Sequence, residues 1–291
     1  MTASRGPGGS RPLRAVITAG GTEEPVDDVR VLTNFSTGRF GAAIARALVR
    51  HGVETTVLAS RSLAARAGEL RGPIRVVPYA SFRDLEGALN EVAKDPPDIL
   101  LMAAAVSDYT PVRSAGKIRS DAPALEIALT ANPKLLPTLR GALGDACVIV
   151  GFKLLSGVTA GELVAVARRQ AVGGRLDLTV ANDLQELAGD RHPVWLVRPE
   201  GEPARIEGHR EDVADAIAET AIDAALARET RGSAPTDLAR LVATTADAIG
   251  IAADARAIRV REPAAASHLL DTVSGASAIL MVDEAFGRFD A

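Results

Sequence analysis

Six short apolar runs punctuate the first 182 residues: "LRAVITA", "ETTVLAS", "IRVVPYA", "DILLMAAAV", "CVIVGF" and "LDLTVAN". Each is nearly continuous rather than alternating, as expected of strands covered by helices on both faces. Helix-period stretches lie between several of them. One runs from Gly41 to Arg50, with Ile44 and Leu48 on one face and Gly52 as its stop. Another is "SFRDLEGALNEVAKD", with Ser81 as N-cap and Pro96-Pro97 as terminator. The alternation predicts an α/β fold, a doubly wound and mostly parallel Rossmann-like sheet.

After "TVANDL" the pattern changes. "PVWLVRPEGEPARIEG" reads as two strands joined by a turn at Glu200-Gly201, and "REDVADAIAETAIDAALAR" as an amphipathic closing helix. A break follows at "ETRGSAPTD", and the remainder reads as helix, strand, helix and strand in miniature. The expected organisation is a disordered tail over residues 1–12, a nucleotide-binding domain over 13–228, and a small C-terminal α/β extension over 229–291 to which no chemistry is assigned.

Bulk properties remove several function classes. The net charge is -4 and the Lys and Arg residues are dispersed, which argues against a nucleic-acid groove or a polybasic membrane patch. No apolar run approaches the ~20 residues that span a bilayer, and the N-terminus has no apolar signal core. The single cysteine, Cys147, allows no disulfide within the chain, so the cytoplasm is the expected compartment. The four histidines, His51, His192, His209 and His268, show no metal-ligand spacing, so no side-chain metal centre is expected.

The first candidate site is the loop with two glycine pairs. The first run ends in Gly20-Gly21, yet the helix waits for Gly38 and Gly41. A dinucleotide fingerprint fails on spacing, since Thr22 follows and no further glycine falls in the turn. Counting on from Gly41, the ribose-binding position falls at Ser60-Arg61, where an arginine suits a 2′-phosphate. An NADP-dependent reductase is therefore an alternative, although Tyr109 is followed four residues on by Arg113 and not by the lysine of a short-chain reductase. "NFSTGRFG" is a polar loop opening a helix. Ser36 and Thr37 offer hydroxyls, Gly38 allows close backbone approach, and the first-turn N–H groups complete an anion site suited to phosphate. The competing reading is a capped helix with a long surface loop. On the phosphate reading, "EEPVDDVR" covers the ligand, and Gly38→Val is expected to abolish binding while leaving the fold intact.

The second site begins at "ILLMAAAVSDYTPVRSAGKIRSD", which places Asp108 at the carboxyl edge of a strand, where open α/β sheets bind ligands. Its alanines leave room for a flat group. Lys117 follows in a loop with Pro111 and Gly116, placed to neutralise charge on phosphorus, although such lysines are commonly just solvated. "GFKLL" offers Phe152 to a base and Lys153 to a phosphate. "ANDL" offers the Asn182 amide to a sugar or base and Asp183 to a cation. Core packing for Phe152 and a helix cap for Asn182-Asp183 are the plainer readings of each alone.

Seven segments, "ITAGGTEEPVDDVR", "TNFSTGRFG", "AAVSDYTP", "GKIRSD", "NPKLL", "GFKLL" and "LDLTVANDL", together resemble the phosphopantothenate–cysteine ligase (phosphopantothenoylcysteine synthetase) family, and more closely its free-standing bacterial form. The resemblance covers about residues 13–228. It implies a ligase of coenzyme A biosynthesis that joins 4′-phosphopantothenate to L-cysteine through an acyl-cytidylate, releasing pyrophosphate and CMP. It implies that Asn34 holds the acyl intermediate and that Lys117 stabilises charge during activation. Gly20, Ser36, Gly38 and Gly41 would line the phosphate loop. Ala104, Asp108, Asn132, Phe152 and Asn182 would surround CTP, with Mg²⁺ bridging its phosphates, and the assembly would be a homodimer. The pattern departs at Gln170 and Gly174, where fused members carry lysines; Arg168, Arg169 and Arg175 lie nearby. That departure supplies a second alternative, a catalytically weakened nucleotide- or metabolite-binding homologue. CTP against ATP stays open at this level.

Overall fold

A computed structural model describes residues 11–66, 68–119, 125–248, 253–254 and 257–258. In chain order the elements begin β1 (Arg14–Ala19), β2 (Glu23–Pro25), β3 (Val31–Thr33), α1 (Arg39–Arg50), β4 (Glu54–Ser60), α2 (Arg61–Ala64), β5 (Ile74–Tyr79) and α3 (Phe82–Val92). They continue with β6 (Ile99–Met102), β7 (Tyr109–Pro111), β8 (Leu129–Ala131), α4 (Leu136–Leu143), β9 (Val148–Leu155), α5 (Ala160–Gly173) and β10 (Leu178–Asp183). Last come β11 (Val194–Val197), β12 (Ala204–Ile206), α6 (Arg210–Ala248), β13 (Ala253–Asp254) and β14 (Ala257–Ile258). The contacts divide the chain into two units, one ending at Arg228 and one beginning at Glu229.

The first unit is built on an eight-stranded sheet of order β12-β11-β10-β9-β6-β1-β4-β5. The six strands from β10 to β5 are parallel, and β11 and β12 join antiparallel at one edge. A row of aligned apolar residues crosses the parallel part, Val57, Ile17, Leu101, Val150 and Leu178. These pack with α1 and α6, whose Ile44, Leu48, Val213 and Ile217 are buried in the same cluster. The residues between them in sequence, Val16, Leu100 and Ile149, point the other way, toward Leu85 and Leu89 of α3 and Leu139 of α4. Period-2 alternation thus operates inside runs that are apolar throughout, because both faces are covered. Burial of each branched side chain contributes roughly 1.5–3 kcal/mol.

β1 is the pivot. The chain leaves it to one side through β4 and β5, then returns to its other side at β6 and continues to β9 and β10. That reversal opens a crevice beyond the carboxyl ends of β1 and β6.

The helices start where local chemistry directs them. Ser81 and Asp84 form a reciprocal capping box on α3, and Thr159 and Glu162 form another on α5. At the far end of α1, Arg46 pairs with Glu211, and Arg50 and His51 meet Asp215, fastening α1 to α6. Arg11 makes a two-pronged pair with Asp98 at 2.7 Å, and the same carboxylate accepts the Arg14 N–H, so these contacts begin at Arg11. Residues 1–10 of the expected tail lie outside the described residues.

Two expectations change. The break expected at "ETRGSAPTD" falls where the two units divide, at Arg228 and Glu229, but the helix α6 continues through it to Ala248. Strong helix formers on both sides, "AIDAALARE" and "LARLVATTADA", outweigh Gly232 and Pro235 in the backbone there. The glycine detour is not a simple covering loop but a hairpin, with Glu23, Glu24 and Pro25 paired to Thr33, Leu32 and Val31. A second hairpin pairs β7 with β8. In the expected C-terminal α/β extension, the end of α6 and the short β13–β14 pair are described. The further helix and strands expected there lie outside the described residues. No described helix is long and apolar enough to cross a membrane.

Candidate functional site

A cavity of about 910 Å³ opens at the carboxyl ends of the central strands. Its walls are the turn Phe35–Gly41 at the start of α1, the segment Met102–Asp108 after β6, Pro133–Pro137, the end of β9 at Phe152–Leu154, the last turn of α5, and Asn182. Ser36, Gly38, Gly41, Ala104, Asp108, Phe152, Lys153 and Asn182 all line it.

The glycines act mainly through packing. Gly38 caps α1 in a left-handed conformation, φ 74°, with no side-chain cap. A Cβ there would stand 2.8 Å from Leu63 Cδ2 and 3.0 Å from the Gly20 nitrogen. Gly20, φ 93°, is tighter still, since its Cβ would fall 2.0 Å from Ser60 Oγ. Gly20 therefore supports the turn from below and does not line the cavity. For the same reason Gly38→Val would strain the fold, contrary to the expectation that it spares it. The first-turn N–H groups of α1 lack partners within the helix, and the turn that carries them faces the cavity.

Asn34 and Asn132 are placed beside the cavity and not in its wall. Asn34 Nδ2 donates to the Ala105 carbonyl at 3.1 Å, bridging the detour to the end of β6. Asn132 is held at three points: its Nδ2 donates to the Ser107 carbonyl at 3.0 Å, its Oδ1 accepts from Thr110 at 2.9 Å, and its N–H bonds the Asp108 carbonyl. It fixes the backbone that carries Asp108. The buried Thr22 and Ser107 hydroxyls meet at 2.9 Å and lace the turn after β1 to the same segment. Lys117 is exposed on its loop and is not among the lining residues.

Asp183 serves as a cap and not as a cation ligand. Its carboxylate accepts the N–H groups of Gln185, Gly157 and Val158, and these bonds hold its pKa below the usual range. Asp108 is the carboxylate that lines the cavity among the described residues, and it pairs with Lys134.

The far wall is aromatic. Phe40 lies 6.2 Å from Phe152, edge to face, and 3.9 Å from the His192 ring. Burial first, then the charge of Arg210, pushes the His192 pKa down to about 4, so the imidazole is neutral at pH 7. Three arginines on the wall are paired: Arg39 with Glu69, Arg191 with Glu207, and Arg210 with Asp190. Lys153 is half-buried and has no ion pair among the described residues. At the family-lysine positions, Gln170 donates to the Phe152 carbonyl at 3.2 Å and Gly174 lines the wall. Arg168 is spent on the carbonyls of Pro199 and Gly201, Arg175 pairs with Asp145, and Arg169 is exposed; none lines the cavity.

The positions a nicotinamide reading requires, Arg61 and Tyr109, also stand outside the wall. Sequence reasoning missed Arg39, Phe40, Lys134, Arg191, His192 and Arg210. The first three sit inside the segments "NFSTGRFG" and "NPKLL", so their signal was present. "GDRHP" carries no pattern that reveals the next two.

The family model described as DNA/pantothenate metabolism flavoprotein C-terminal domain matches residues 11–224. The coenzyme A biosynthesis bifunctional protein CoaBC of Thermococcus kodakarensis is 33% identical over 185 residues, 63% of this chain and 44% of that protein. The CoaBC of Mycolicibacterium smegmatis is 32% identical, over 67% of this chain and 49% of its own length. The chain thus spans about half the length of the curated relatives it matches. Among solved structures, the DNA/pantothenate metabolism flavoprotein of Streptococcus pneumoniae matches with TM-score 0.65 and 26% identity, covering 73% of this chain and 99% of that one.

Proposed function

The chain belongs to the DNA/pantothenate metabolism flavoprotein C-terminal domain family, and on that premise we propose that it is a phosphopantothenate–cysteine ligase of coenzyme A biosynthesis. The reaction has two steps. The carboxylate of 4′-phosphopantothenate attacks the α-phosphorus of CTP and pyrophosphate leaves, giving an acyl-cytidylate. The amine of L-cysteine then attacks the acyl carbon, forming the amide and expelling CMP.

One observation carries this reading: the cavity sets the first turn of α1 and the half-buried Lys153 around one volume, bounded by Phe152 and by the small residues Ala103–Ala105. Free N–H groups and a cation suit phosphates. The small residues and the aromatic ring suit a flat base. Asn34, held against Ala105, presents the acid to the nucleotide. Lys117 approaches from its exposed loop to neutralise charge on phosphorus. Mg²⁺ would be held chiefly by the phosphates themselves, because Asp108 is the cavity's carboxylate and Asp183 is consumed by backbone donors.

The partner is a second copy of the chain. The two hairpins and the segments around them expose Val29, Val31, Leu32, Phe35, Tyr109 and Val112, apolar surface that an isolated copy leaves in water.

The test is pyrophosphate release from CTP, measured with and without phosphopantothenate. Release that needs the acid and is lost in Lys117→Ala supports the ligase. CTP binding with no release in the wild type favours the weakened homologue, a reading encouraged by the uncharged Gln170 and Gly174 on the wall. Running ATP beside CTP decides the base.

A further inference from the structure

The segment "EEPVDDVR" contains a carboxylate that the ligase reading leaves without a task. Asp27 is 3% exposed and sits in the turn between β2 and β3. Its Oδ1 accepts the N–H groups of Val29 at 2.8 Å and Arg30 at 2.7 Å, and its Oδ2 pairs with the Arg30 guanidinium. The remaining bond leaves the turn: Ile118 N–H donates to Asp27 Oδ2 at 3.0 Å. Ile118 is the residue after Lys117.

Other contacts converge on the same junction. Arg30 Nη1 donates to the Ile118 carbonyl at 3.3 Å, so both backbone groups of Ile118 are held by one ion pair, whose carboxylate is buried and whose guanidinium is partly exposed. Ser114 N–H bonds the Val26 carbonyl at 3.0 Å, Asp28 N–H bonds the Gly116 carbonyl at 3.4 Å, and Arg113 pairs with Asp28 at 2.7 Å. Residues 113, 114, 116 and 118 are thus tied to residues 26–30, while the Lys117 side chain between them is exposed.

We propose that Asp27 is a positioning residue, a buried clamp that fixes the backbone on which Lys117 projects. The proposal rests on the reading of Lys117 as the group that neutralises phosphorus. Burial alone would raise the Asp27 pKa. The N–H donors of Val29, Ile118 and Arg30, with the guanidinium, outweigh that and hold it at about 2, so the clamp is charged throughout the working pH range. The detour between the glycine pairs then also serves the loop of Lys117.

Asp27→Asn tests this, because the new amide turns an NH₂ toward one of the donors that the carboxylate now satisfies. The full chain is digested briefly with trypsin, and cleavage after Lys117 is measured against cleavage after Lys94 as an internal reference. The expected result is cleavage about ten-fold faster after Lys117 with the thermal midpoint nearly unchanged, since trypsin acts on locally opened backbone. An unchanged ratio in folded Asp27→Asn overturns the clamp. Should that variant not fold, Arg30→Gln, which removes the second hold on Ile118, is read the same way.

Turnover supplies the second arm. Asp27→Asn should lower kcat with little change in the KM for CTP, and adding it to Lys117→Ala should cause no further loss. An additive loss overturns the positioning role. If the wild type itself fails to turn over, the ligase reading falls while the cleavage ratio still judges the clamp.

Discussion

The floor of the cavity and its rim are held by different forces. The floor is the carboxyl edge of β1, β6, β9 and β10, closed by apolar burial and by glycines with no space for a side chain. The rim is the two hairpins, whose strands are three residues long and whose attachments are polar. There Glu24, 1% exposed, accepts the Phe82 N–H, and Asp27 holds Ile118. Buried packing resists deformation at every point, whereas a hydrogen-bonded segment depends on a few donors and acceptors. Stability should therefore reside in the floor, and the adjustable part of the site in the rim.

The largest effect that would break this contrast lies in the floor. Gly20→Val places a branched side chain where Ser60 Oγ already stands, on a backbone with φ 93°. The expected loss is about 4 kcal/mol of folding stability by chemical denaturation. A near-neutral result would mean that the end of β1 yields as easily as a loop.

A smaller effect belongs to the aromatic wall. The His192 pKa is about 4 in the folded chain against 6.5 normally, so its contribution to stability is fully present above pH 6.5 and is lost as the pH falls through about 4. Stability should drop by roughly 2 kcal/mol over that window from this group, and His192→Phe should flatten the profile. An unaltered slope in the variant would place the titration elsewhere.

The smallest stability effect is expected at the rim. Lys117→Ala removes an exposed side chain, and its unfolding free energy should stay within about 0.5 kcal/mol of the wild type. Its pyrophosphate release should nevertheless fall about 100-fold. Destabilisation comparable to Gly20→Val would erase the distinction between the two regions.

The same contrast explains what could be read from the sequence. The six apolar runs became strands of the sheet, and Ser81 became the N-cap of α3, because burial periodicity and caps are written in neighbouring residues. The hairpins were not legible. "EEP", "VLT", "YTP" and "LTA" are too short to show a period, and their partners lie in distant segments. The helix α4 was also missed, its eight residues having no side-chain cap to mark their start. At the site, Ser36 could be read because it precedes α1, Ala104 and Asp108 because they follow β6, and Phe152 and Asn182 because they lie in the carboxyl halves of β9 and β10. The supporting positions of Gly20 and Asn132 depend on Ser60 and Ser107, which only the folded chain brings close.

The most direct measurement is a crystal structure of the chain soaked with CTP. The account predicts phosphate density against the first turn of α1 and within reach of Lys153, with the base between Phe152 and the Ala103–Ala105 segment. Ordered nucleotide bound elsewhere, with this cavity left to solvent, would contradict it.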